Sequence, residues 1–123
     1  MEQIKLTFSQ IRYIICLFRL SQSGCGVKNV DIANDLGFSK PSVHNMLKSL
    51  SELGAVKQEG FGLAFLTCEG RALAEKYTYC YNVLREKVGE ICESSAVSEN
   101  AICSILADMP REKIEELYKS KSE

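Results

Sequence analysis

No Cys-x-x-Cys pair occurs in this chain, although it carries six cysteines (Cys16, Cys25, Cys68, Cys80, Cys92, Cys103). That removes the strongest sequence sign of zinc or thioredoxin-like chemistry. Tryptophan is absent and histidine occurs once, at His44. With one imidazole, no paired acids in a glycine-framed pocket and no nucleophile motif, nothing is available for catalysis, and no enzyme is expected. Long hydrophobic runs are missing too. The longest early one, Tyr13 to Phe18, is six residues between Arg12 and Arg19, far short of a bilayer span. Glu2 stands where a secretory leader would be basic, and no small-residue cleavage site follows. The expectation is a cytoplasmic protein without membrane contact. In that reducing compartment the cysteines read as small buried hydrophobes, not as a disulfide framework. Internal repeats and low-complexity tracts are also absent.

What is present fits a soluble globular chain. Hydrophobic residues make up 46% and charged ones 25%, which argues against disorder. A length of 123 residues leaves room for one compact domain, or a small head joined to a helical extension. The net charge of −1 is unevenly spread: residues 1–66 sum to +2 and residues 67–123 to −3. A mildly basic front and an acidic back suit a DNA-binding head on a non-binding tail.

Apolar spacing predicts a first helix from about Thr7 to Ser21, carried by Phe8, Ile11, Ile15 and Phe18. The segment Ser21 to Gly26 reads as a stop. A short second helix follows, with Asn29 as its expected N-cap and Ile32, Ala33 and Leu36 as its buried face. Gly37 ends it, Ser39 caps a third helix, and Pro41 falls in that helix's first turn, where a missing N–H is harmless. Val43, Met46, Leu47 and Leu50 supply the third helix's stripe, which ends near Leu53-Gly54. Two helices meeting across Gly37-Phe38-Ser39 have the spacing of a helix-turn-helix. Ala55–Gln58 and Leu63–Leu66 then flank a glycine-bearing tip, a hairpin placed where a winged helix carries its wing. Thr67 caps a long fourth helix with a seam of Leu73, Tyr77, Cys80, Leu84, Val88 and Ile91. Ser98 begins a fifth helix with Ile102, Ile105 and Leu106 inside, and Pro110 opens a sixth. The fold class expected is mainly α: a winged helix-turn-helix with a small β-hairpin wing over residues 1–70, followed by a helical dimerisation segment over 71–123.

The third helix of such a fold enters the major groove, and its N-terminal residues reach base edges. Here the outward set is Ser39, Lys40, Ser42, His44, Asn45 and Lys48. Ser39 and Ser42 can meet phosphate oxygens at the helix N-terminus. Asn45 can pair bidentately with adenine, and His44 can reach a base edge or a phosphate. Lys40 and Lys48 add salt-dependent affinity. At the wing, Lys57 and Phe61 are candidates for backbone or minor-groove contact. The bland alternative for each residue is a solvated helix surface, or, for Phe61, packing under its own hairpin.

The stretch from Arg12 to Glu116 resembles the iron- and manganese-dependent repressors typified by the diphtheria toxin repressor and the manganese transport regulator. The carrying motifs are Asp31-Ile32-Ala33, Pro41-Ser42-Val43, Met46-Leu47, Leu53-Gly54-Ala55-Val56, Leu66-Thr67-Cys68-Glu69-Gly70-Arg71-Ala72-Leu73-Ala74 and Asp108-Met109-Pro110. The resemblance implies a homodimeric repressor of metal-uptake or related genes, with Leu73, Tyr77, Leu84, Val88, Ile91, Ile102 and Leu106 toward the dimer interface. It also implies a divalent ion held between the first, fourth and fifth helices. At the corresponding positions this chain has Arg12, Ile15, Tyr81 and the run Cys103-Ser104-Ile105-Leu106-Ala107, so that only Cys103 survives as a ligand. Hard divalent ions need oxygen or imidazole donors, so neither a metal nor another cofactor is expected. Arg12 can stand in for the ion's charge by pinning the first helix against the fourth.

The reading is therefore a sequence-specific, homodimeric repressor of transcription on double-stranded DNA, independent of the family's metal. Two alternatives stay open. One is a thiol or soft-metal sensor using Cys16, Cys80 and Cys103. The other is a protein-interaction module that has lost DNA binding, given the thin charge of the head.

Overall fold

Thr7 and Gln10 close the start of the first helix by exchanging hydrogen bonds. The Gln10 N–H donates to Thr7 Oγ1 (3.2 Å) and the Thr7 N–H donates to Gln10 Oε1 (2.9 Å). This reciprocal pair satisfies two donors that a helix start leaves open. It launches α1 (Phe8–Leu20) in the computed structural model, which describes residues 5–21, 24–60, 62–93 and 97–122. The order continues β1 (Val27–Lys28), α2 (Asn29–Leu36), α3 (Lys40–Glu52), β2 (Val56–Glu59), β3 (Leu63–Leu66), α4 (Cys68–Cys92), α5 (Glu99–Asp108) and α6 (Arg111–Lys119). The fold is a winged helix-turn-helix followed by a helical segment, the class expected from the sequence. Among the described residues no helix is long and apolar enough to cross a membrane.

The chain divides into two compact units, Tyr13–Ala74 and Met1–Arg12 with Glu75–Glu123. Residue 70 lies near the end of the first unit, but the chain up to Arg12 groups with the later helices and not with the head. Within that second unit the Leu6 backbone hydrogen-bonds the Tyr77 hydroxyl.

In the unit Tyr13–Ala74, α1 contributes Ile14 and Leu17, α2 Ile32, and α3 Val43, Leu47 and Leu50, all with no exposed surface. Burying an aliphatic side chain of this size stabilises by roughly 1.5–3 kcal/mol, so this set carries the unit. Its sheet has the order β1-β3-β2 and is antiparallel throughout. Val56 pairs with Leu66 and Glu59 with Leu63 across the wing, while Val27 pairs with Ala64. Strand β1 was not foreseen, because two residues are too few for an alternating pattern to register. It is held in place by pairing, and beside it the Asn29 N–H donates to the Gly62 carbonyl (2.8 Å). Asn29 is thus the first helical residue of α2 and not its N-cap. Lys28 occupies the cap position and makes no side-chain cap bond.

In the other unit, Leu6, Ile11, Tyr77, Cys80, Ile102, Cys103, Leu106 and Ile114 form the core. Ser98 caps α5 by accepting from the Ala101 N–H (3.1 Å), and Pro110 precedes α6, as their residue types suggest. Lys76 and Glu115 form an ion pair between α4 and α6. The expected dimer seam needs correction here. Tyr77, Ile102 and Leu106 are buried within their own chain, so a partner has no access to them. A periodic stripe does not distinguish helices packing inside one chain from helices packing between two. Leu73, Leu84 and Val88 are half-buried, and Ile91 is 81% exposed.

Candidate nucleic-acid interface

The reading face begins with the turn that orients it. Gly37 adopts φ 77°, a left-handed conformation costly to residues with a Cβ, and its N–H and that of Phe38 both donate to the Ala33 carbonyl. Ser39 then caps α3: its Oγ accepts from the Ser42 N–H (3.3 Å) and donates to Ser42 Oγ (3.0 Å). At the far end of α3, the Ala55 N–H donates to the Leu50 carbonyl and the Gly54 N–H to the Ser51 carbonyl, both at 3.0 Å. This is the paired closure of a Schellman motif, and it turns the chain directly into β2.

The chain between α3 and β2 is fastened to the start of α4 by hydrogen bonds from Thr67. The Thr67 N–H donates to the Ala55 carbonyl (3.0 Å), and Thr67 Oγ1 donates to the Gly54 carbonyl (2.6 Å) while accepting from the Gly70 N–H (2.9 Å). Thr67 is thus both the helix cap and the tie between the end of α3 and the start of α4.

Ser39, Lys40, Ser42, His44, Asn45 and Lys48 are all exposed, on the side of α3 opposite buried Val43, Leu47 and Leu50. The two serine hydroxyls are engaged with each other, so Ser39 serves the cap first. Lys57 is exposed on β2 but lies 3.4 Å from Glu59 on the same strand, which offsets its charge. Phe61 lies outside the described residues.

Two features of this face were not read from the sequence. Phe38, in the turn, stacks on buried Tyr13 of α1 with ring centroids 5.8 Å apart and planes 9° from parallel, yet remains 37% exposed. Arg19 of α1 pairs with Asp35 of α2, and so commits that guanidinium within the scaffold. An aromatic between a turn glycine and a helix cap was a usable signal for the first. The second depends on two residues brought together only by folding.

The divalent ion implied by the resemblance does not fit the residues found here. Arg12, which stands where the resemblance implies a ligand, lies 3.9 Å from Glu99 of α5, and its own positive charge would repel a cation there. This charged contact joins the first helix to the fifth. Cys103 is fully buried, and burial pushes its thiol up to about 11, so it offers no thiolate near neutral pH. Burial likewise raises Cys80 to about 11, and its Sγ donates to the Ile114 carbonyl at 3.7 Å. Cys16 is buried as well. Among the described residues no group of three His, Cys, Asp or Glu side chains converges on a point that could hold a metal.

Comparison with known proteins places the same segment at the centre. Residues 17–60 match the IclR helix-turn-helix domain family. No curated protein matches the chain. Among solved structures, it is similar to the hypothetical protein SSo2273 of Sulfolobus solfataricus, with 25% identity and a TM-score of 0.62 over 94% of this chain and 88% of that one. It is similar to IdeR of T. acidophilum, with 16% identity and a TM-score of 0.63, spanning 100% of this chain and 56% of that one. It is also similar to MepR, a transcription regulator of the Staphylococcus aureus multidrug efflux pump MepA, with 18% identity and a TM-score of 0.51 over 93% and 73%. These findings support a winged-helix fold with a helix-turn-helix within residues 17–60. They do not single out the iron- and manganese-dependent branch.

Proposed function

We propose that the protein is a homodimeric, DNA-binding transcriptional repressor that inserts α3 in the major groove and works without a divalent metal. The observation that carries the reading is the exposed polar face of α3, set by the Gly37 turn and backed by an apolar core, within the segment that matches a helix-turn-helix family. Metal independence rests on Arg12 and Glu99, which supply within the chain a charged link between α1 and α5. At 3.9 Å, with Glu99 about one-third exposed, the pair is a weak fastener, worth at most about 1 kcal/mol. Its role is to orient the helices. It contributes little to holding the fold together.

Fluorescence anisotropy on DNA from upstream of its own gene, against scrambled DNA, tests the reading. Selective binding that is unchanged by chelator, Mn(II) or anaerobic Fe(II) is expected. Binding that appears only with metal would overturn the metal-independent part, and no selective binding under any condition would overturn the whole. For the dimer, the positions of the expected seam that stay accessible are Leu73, Leu84, Val88 and Ile91 of α4. Sedimentation equilibrium should give twice the monomer mass at micromolar concentration, and a monomer there would refute the dimer. The raised thiols of Cys80 and Cys103 weigh against the sensor alternative, because a sensing cysteine must be accessible and partly ionised.

A further inference from the structure

Between Arg19 and Arg71 the chain contains no arginine, so the whole of α2, α3 and the wing lacks a guanidinium. Arginine or lysine bonding guanine is the commonest specific contact in the major groove. Here only the lysine form, a flexible point charge without the bidentate fork, is open. The absence of arginine restricts what this face can read. The cations available are also few: Lys28 is exposed on β1, Lys57 on β2 lies 3.4 Å from Glu59, and the recognition helix itself carries Lys40 and Lys48. These two stand eight residues apart, about 12 Å along the helix axis, and act as point charges suited to phosphates.

Among the described residues, His44 and Asn45 have no side-chain partner and are exposed between those two lysines. The Asn45 amide presents a donor and an acceptor side by side, the pattern that matches adenine N7 and N6. Phe38 adds an apolar surface at the N-terminal end of α3, held by its stack on Tyr13, and thymine is the base that offers a methyl group to such a surface. Each of these contacts favours an A·T pair.

We propose that the preferred DNA has an A·T-rich half-site whose most constrained column is an adenine read by Asn45, without an arginine–guanine anchor. This rests on the DNA-binding reading above and narrows it to a class of sequence. The test is selection of bound duplexes from a random library by the full chain and by Asn45→Ala and Lys48→Ala variants. The substituted side chains are exposed, and circular dichroism would confirm that both variants fold. The wild type should enrich an A·T-rich half-site. Asn45→Ala should lose one adenine column and bind the selected site about tenfold more weakly. Lys48→Ala should weaken binding to all sequences alike, with the motif retained. A motif whose strongest columns are guanine, or one that Asn45→Ala leaves unchanged, would overturn the inference. If the wild type enriches nothing, the DNA-binding reading itself fails, an outcome distinct from enrichment of the wrong motif.

Discussion

Replacing Gly70 with alanine should destabilise the protein by about 3 kcal/mol or more, at the upper end of what overpacking costs. A Cβ at this position would land on the Ala55 carbonyl oxygen and stand 2.7 Å from its carbonyl carbon and 3.0 Å from its Cα. All three atoms are backbone, and the oxygen already accepts from the Thr67 N–H. No rotamer change can relieve the clash. The first turn of α4 would have to lift away, and with it the Thr67 tie that joins the end of α3 to the start of α4. Urea denaturation monitored by circular dichroism would give the change in stability. A midpoint equal to that of the wild type would show that α4 does not pack this closely on Ala55. Alanine is ordinarily the better helix former, by roughly 1 kcal/mol over glycine, so the predicted sign runs against intrinsic propensity.

Raising the pH should bring the second large effect. Cys80 and Cys103 move from an ordinary 9.0 to about 11 in the folded chain, driven first by burial. The same cause raises Tyr77, opposed by the hydrogen bond from Leu6. A raised acid holds its proton longer in the folded state than in the unfolded one. Its contribution is therefore fully present below about pH 9 and declines as pH rises toward 11. A shift of this size corresponds to roughly 2–3 kcal/mol per thiol. Thermal melting from pH 8 to 11 should show a steep loss beginning near pH 9. Replacing both cysteines with alanine should flatten that part of the curve even if it lowers stability at neutral pH. An unchanged slope in the double variant would place the alkaline lability elsewhere.

Near Gly70, the same short stretch of sequence was partly legible and partly not. Thr67 announced itself as a cap, because a hydroxyl before a helical pattern satisfies donors only a few residues away. That Gly70 must remain glycine was not visible, because the constraint comes from Ala55, fifteen residues earlier, across a wing. A similar contrast runs through the seam of α4. Spacing placed Tyr77 and Ile91 on one stripe, yet the structure buries the first and leaves the second 81% exposed. Periodicity states which residues share a face. It does not state how far along the helix that face is covered.

The sequence by itself determined the punctuation of the head: the Gly37 turn, the Ser39 cap, the Pro41 start and the Thr67 cap are demands of the local backbone, met within a few residues. It also determined which side of α3 is polar, because the helical repeat leaves Val43, Leu47 and Leu50 together on the other side. Only the tertiary structure decided that Arg12 meets Glu99, that Phe38 rests on Tyr13, and that β1 joins the wing. The reason is physical. Each of these is an interaction between groups distant along the chain, whose energy exists only after the intervening segments have packed, so no local pattern of residues encodes it.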